Sequence, residues 1–164
     1  MLYSCVELKN ELEKLEIQKA IFLTQENEGS LFQVKEAESI EDKRPNFDFK
    51  ANYHAIEQVN YKIMNLRNQI NIFNVNKKLP CELTIDQAYK LISVLGERKD
   101  ELLYYAKKLS RIQFPDGREY IINYDPAYVR EELEDIIDTI NQLNLEIKEA
   151  ELEKEIEIEQ EEEE

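Results

Sequence analysis

A chain of 164 residues that is 35% charged and 42% apolar, with three glycines, four prolines and no tryptophan, has the make-up of long amphipathic helices rather than of a sandwich or an α/β sheet. Its formal net charge of −15 argues against duplex nucleic acid as a direct partner, because phosphate contacts need clustered Lys and Arg. Two cysteines are too few for a disulfide framework, and no apolar run approaches the ~18 residues that span a bilayer, so a cytoplasmic chain without membrane contact is expected.

Ser4 and Glu7 have capping-box spacing ahead of Leu8, Leu12, Leu15, Lys19 and Phe22, which predicts a first helix over about 4–26. Residues 27–46 lose the period and carry Gly29, Ser30 and Pro45. They read as a loop with one strand-like or helical turn around Leu31 to Val34. Ile56, Val59, Ile63, Leu66, Ile70 and Phe73 then step by 3 and 4, a heptad seam that predicts a second helix over 49–77.

Lys78, Leu79 and Pro80 break that pattern, and Thr84 with Gln87 repeats the capping-box spacing. A third helix is expected over 84–110, with Ala88, Leu91, Leu95, Leu102, Tyr105 and Leu109 on one face. Arg98 sits on this apolar seam, where it needs a partner carboxylate or an exit to water. Residues 111–124 alternate around Pro115-Asp116-Gly117 and read as a β-hairpin.

Asp125 followed by Pro126 forms a cap and a first-turn proline, opening a fourth helix over 126–150 with Val129, Leu133, Ile136, Ile140, Leu143, Ile147 and Ala150 in unbroken phase. Residues 151–164 form an acidic tail whose stacked glutamates oppose helix, and it is expected to fray. The fold class expected is therefore all-α: an antiparallel, coiled-coil-like bundle of four main helices in one domain over 1–150, with a hairpin between helices three and four. Apolar stripes this long and narrow also favour self-association into a homo-oligomer.

Charge is unevenly placed. Residues 58–81 contain no acid, yet they hold Lys62, Arg67, Lys77 and Lys78 together with asparagines at 60, 65, 68, 71, 74 and 76. A second acid-free run, Leu102 to Pro115, contains Tyr104, Tyr105, Lys107, Lys108, Arg111 and Phe114. Asparagine is a poor helix former, so its concentration here costs stability unless the amides are used as caps, at helix contacts or against a ligand.

Catalytic and metal chemistry find little purchase. His54 is the single histidine, Cys5 and Cys81 read as small buried apolar side chains, and neither a phosphate loop nor a nucleophile elbow is present. No catalytic residue, metal site or cofactor is assigned, and the chain reads as a non-enzyme.

Several short segments carry a resemblance: Ile70-Asn71-Ile72-Phe73-Asn74, Leu83-Thr84 with Ala88, Tyr120 to Tyr124, and Ile137-Asp138-Thr139-Ile140-Asn141-Gln142-Leu143-Asn144. In these the chain resembles the septicolysin-like family of small helical bacterial proteins, whose function is largely unassigned. It departs from the family at Lys90-Leu91, where Arg-Asp is usual, and at Asn144-Leu145, where Asn-Trp is usual. The resemblance implies a helical fold and oligomerisation and leaves the function open.

Three functions compete at this level. The leading one is capture or sequestration of a small anionic, nucleotide-like ligand, as by a viral sponge for a host signalling nucleotide, in pockets lined by Arg67, Asn71, Asn74, Lys77, Arg98, Tyr104, Tyr105 and Arg111. A coiled-coil scaffold or adaptor for another protein is the second. The third is an acidic mimic of nucleic acid that acts as an inhibitor.

Overall fold

The structure is a computed structural model and describes residues 1–108 and 111–158. Along the chain run β1 (Leu2–Ser4), α1 (Cys5–Gly29), α2 (Ile40–Lys43), α3 (Phe49–Asn76), α4 (Ile85–Ala106), β2 (Arg111–Gln113), β3 (Glu119–Ile121), α5 (Pro126–Leu152) and β4 (Lys154–Glu157). The fold is mostly helical, with two small antiparallel strand pairs, β1 with β4 and β2 with β3. The expected helices one to four are α1, α3, α4 and α5. Leu109 and Ser110, where the third helix was expected to end, lie outside the described residues.

Both capping boxes form. The Ser4 hydroxyl accepts from the Glu7 N–H at 3.2 Å while the Glu7 carboxylate accepts from the Ser4 N–H at 2.8 Å. Thr84 and Gln87 repeat the exchange at 3.2 and 2.9 Å. Each pair satisfies two of the amide donors that a helix start leaves without intrahelical partners. At the third start the Asp125 carboxylate accepts from the Ala127 N–H at 2.8 Å, and Pro126 occupies the first helical position.

Two expectations are corrected, one at the C-terminal tail and one within 27–46. The expected fraying tail is partly ordered: α5 continues to Leu152, and Lys154 to Glu157 form β4, which pairs with β1 in the register Leu2 with Glu157, Tyr3 with Ile156 and Ser4 with Lys154. The physical reason is the period of two in Lys154-Glu155-Ile156-Glu157, which turns Ile156 inward, where it is buried, and leaves its neighbours in solvent. Like charges stacked along a helix become charges on the open face of a strand. Residues 159–164 lie outside the described residues. Within 27–46, no element forms at Leu31 to Val34, and the one turn of helix lies instead at α2.

The residues group into two compact units, one of Met1–Phe73 with the described residues from Leu152 onward, the other of Asn74–Glu151. Both boundaries fall inside helices. No glycine, proline or polar linker marks them, which is why the sequence suggests a single domain over 1–150.

In the first unit Leu15, Val59 and Ile63 form a buried cluster, with Leu12, Phe22 and Leu66 packed against it, so the α3 seam closes on α1. Asn52 is buried beside it, and its amide donates to the Phe22 carbonyl at 3.1 Å. Gly29 is the last residue of α1, and the position takes glycine because a Cβ there would stand 2.3 Å from the Phe47 ring.

In the second unit the seam residues Ala88 and Leu102 of α4 and Val129, Leu143, Ile147 and Ala150 of α5 are buried. Leu91, Leu95, Leu133, Ile136 and Ile140 are half-buried. Cys5 is buried as expected, whereas Cys81 is exposed in the turn between α3 and α4. Leu79 takes the inward position of that turn, where it is buried, and Cys81 is left facing water. No helix among the described residues is long and apolar enough to cross a membrane.

Candidate functional site

One concavity is built by the second half of α4 and the first turns of α5. Arg98, Leu102 and Tyr105, spaced by 4 and 3, lie on one face of α4. Tyr128, Val129, Glu132 and Ile136 lie on one face of α5, and Tyr124 stands just before its cap. Together these residues line a groove of about 500 Å³, inside the ~300–1,000 Å³ range of small-molecule sites. Its floor is apolar, with Leu102 and Val129 buried, and its rim carries an arginine, a carboxylate and tyrosine hydroxyls.

Aromatic packing fixes one wall. The Tyr124 hydroxyl donates to the Tyr105 backbone carbonyl at 2.8 Å, an oxygen that also accepts from the Lys108 N–H at 3.1 Å. The two rings meet edge to face at 5.8 Å, and Tyr104 meets Tyr105 in the same way at 5.5 Å. The Lys108 ammonium lies 4.4 Å from the Tyr104 ring centre and 5.3 Å from that of Tyr105.

On the facing wall, Tyr128 has its phenol pKa pushed up. The hydrogen bond to Glu132 is the first cause and the nearby Glu132 charge the second, with Arg98 opposing them. The hydroxyl stays protonated, with its one hydrogen directed at the Glu132 carboxylate. Arg98 itself reaches water and also pairs with Glu101 at 2.6 Å, so both of the outlets open to it at its seam position are used.

A second concavity, of about 670 Å³, lies in the first unit between α1 and α3. Arg67 pairs there with Glu16 at 2.6 Å, and Lys19 with the amides of Asn60, Asn68 and Asn71 completes its polar lining.

The eight residues singled out in the sequence are thus placed as follows. Arg67 and Asn71 share the α1/α3 groove; Arg98 and Tyr105 share the α4/α5 groove, with Tyr104 packed on Tyr105. Arg111, on β2, pairs with Glu119 of β3 at 3.3 Å. Asn74 is half-buried, and its side-chain oxygen is buried without a hydrogen-bond donor. Lys77 is half-buried at the turn, where its carbonyl accepts from the Ile85 N–H at 3.1 Å.

Arg67 and Arg111 lie inside acid-free stretches, yet each is reached by an acid from outside its stretch, Glu16 from α1 and Glu119 from across the hairpin. Tyr124, Tyr128 and Glu132 were not singled out. The available signal was the i,i+4 spacing from Tyr124 to Tyr128 to Glu132, which places one tyrosine ahead of the cap and two side chains on one helix face.

Among the described residues no group of three His, Cys, Asp or Glu side chains is placed to hold a metal ion. No family model matches the chain, and no curated protein matches it. A solved structure does: the crystal structure of a functionally unknown conserved protein from Corynebacterium diphtheriae has a TM-score of 0.67 and 15% identity, covering 96% of this chain and 100% of that one. The likeness is one of fold.

Proposed function

We propose that the chain is a non-enzymatic, homo-oligomeric, coiled-coil-like helical bundle that captures a small anionic ligand with an aromatic base, nucleotide-like in chemistry, in the α4/α5 groove. The observation that carries this reading is the convergence of Arg98, Tyr105, Tyr124 and Tyr128 on one groove of about 500 Å³ with an apolar floor. Tyrosine faces stack on a base at small entropic cost, and a guanidinium on the rim can leave an exposed ion pair, worth only a few tenths of a kcal/mol, for a phosphate that it binds bidentately.

A panel of mononucleotides, dinucleotides and cyclic nucleotides, titrated by calorimetry with melting temperature followed in parallel, tests this reading. One class should release or absorb heat and raise the melting temperature, since a ligand that binds only the folded state stabilises it by mass action. Arg98→Ala should weaken that binding about tenfold or more, the loss of a charged hydrogen bond of ~1.5–3 kcal/mol. A panel without any response, or binding indifferent to both Arg98→Ala and Tyr105→Ala, overturns it.

A further inference from the structure

The α4/α5 groove holds a carboxylate in the place where an anion is to bind. Glu132 is half-buried in its lining, one helical turn beyond Tyr128 on the same face of α5. Arg98 shares the groove, yet its short ion pair, 2.6 Å, goes to Glu101 of its own helix. Among the described residues the partner of Glu132 is thus the Tyr128 hydroxyl, a neutral donor, and not a cation.

A negative charge left without a cation in an anion-binding groove weakens binding unless the ligand turns hydrogen-bond donors toward it. An ionised carboxylate can only accept. Its two oxygens offer about four lone-pair sites, of which the Tyr128 hydroxyl takes one and so holds the group in place. Such a group selects a ligand with two donors side by side.

The aromatic bases differ on this point. Guanine presents N1–H and the N2 amine next to each other along one edge, and the pair meets both carboxylate oxygens as a guanidinium fork does. Adenine and cytosine each set an amine beside a ring-nitrogen acceptor, so that the second oxygen faces a lone pair. Uracil sets one N–H between two carbonyls. Guanine alone of these meets Glu132 without opposing one acceptor to another. The rest of the groove suits the same ligand: Tyr105, Tyr124 and Tyr128 offer ring faces, and Arg98 stands on α4, the wall facing Glu132.

We infer that the base captured in the α4/α5 groove is guanine, its N1–H and N2 amine donating to the Glu132 carboxylate while Arg98 on the facing helix takes the phosphate. This deepens the nucleotide-like part of the reading above and rests on it.

The test is calorimetric titration of the full chain with GMP, IMP, AMP, CMP and UMP, and with cyclic di-GMP and cyclic di-AMP. In each class that binds, the guanine form should bind about tenfold or more tighter than the adenine form. IMP keeps N1–H and lacks the amine, so its affinity should fall between those of GMP and AMP. Glu132→Gln replaces one acceptor by a donor and should bring the guanine and adenine affinities to within about threefold of each other, with an unchanged helical circular-dichroism spectrum. The base series on the parent chain reads the preference whether or not that variant folds. No response to any nucleotide overturns both this inference and the nucleotide reading beneath it. Adenine or a pyrimidine bound as tightly as guanine, IMP bound as tightly as GMP, or a guanine preference that survives Glu132→Gln overturns the guanine assignment alone.

Discussion

Glu82 holds a backbone conformation that side chains with a Cβ disfavour: its φ is +66°, in the turn where its N–H donates to the Leu79 carbonyl at 2.9 Å. The left-handed region costs an L-residue roughly 1–2 kcal/mol, and glycine avoids that cost while giving up more freedom on folding. The ion pair from Lys78 to Glu82, at 3.4 Å and exposed, offsets only a few tenths. Glu82→Gly should therefore stabilise the protein by about 0.5–1 kcal/mol, read from denaturant midpoints at unchanged slope. Loss of stability in this variant would mean that the carboxylate has a use the ion pair does not reveal. Gly29 makes the opposite case. Alanine there gains helix propensity but meets the Cβ and Cγ of Phe47, atoms too near the backbone to swing aside, so Gly29→Ala should cost about 1–3 kcal/mol.

Among elements, the legible ones were those whose signals are local. Ser4 with Glu7, Thr84 with Gln87 and Asp125 with Pro126 announce three helix starts because a cap is a contract between residues two or three apart, and all three form. The hairpin at β2 and β3 was equally legible from Pro115-Asp116-Gly117, with Gly117 at φ +84°. β1 and β4 were missed because their pairing joins residues about 150 positions apart and because three- and four-residue strands barely register a period. In β4 the glutamates outweighed the alternation around Ile156. Ile156→Ala should cost about 2 kcal/mol or more, from the lost burial and the space left behind, while Lys154→Ala, which removes an exposed ion pair to Glu7 at 2.9 Å, should cost under about 1 kcal/mol. Equal costs for the two would mean that β4 is held by charge rather than by packing. The groove was half legible: Arg98 and Tyr105 stand out by residue type within one helix, whereas Tyr124, Tyr128 and Glu132 matter only through where α5 lies against α4.

At the scale of the whole molecule, pH acts through two opposed effects. Glu7, Asp116 and Glu146 each have a carboxyl pKa below the ordinary value. The first cause is the Ser4 amide for Glu7, the Arg118 side chain for Asp116 and the Gln142 amide for Glu146. A pKa lowered on folding gives stability that is complete above the unfolded value, 4.5 for the glutamates, and is lost as pH falls through the folded value. The net charge of −15 works the other way, since protonating carboxylates relieves self-repulsion. Thermal stability should thus hold or rise from pH 7 toward pH 5 and fall below about pH 4.5. Glu7→Gln should be less stable than the parent at pH 7, with the gap closing in acid. A gap that persists at pH 3 would place the Glu7 contribution elsewhere than in its charge.

The strand pair at the chain ends also orders events in time. Leu2 to Ser4 leave the ribosome roughly 150 residues ahead of their partners at Lys154 to Glu157, a wait of about 10–30 s at ordinary elongation rates. Through that interval the nascent first unit holds a bare strand edge beside the start of α1, and Glu7 has its cap but not yet its lysine. Of the two strands, the one made earlier thus waits through the synthesis of every helix before its edge is closed.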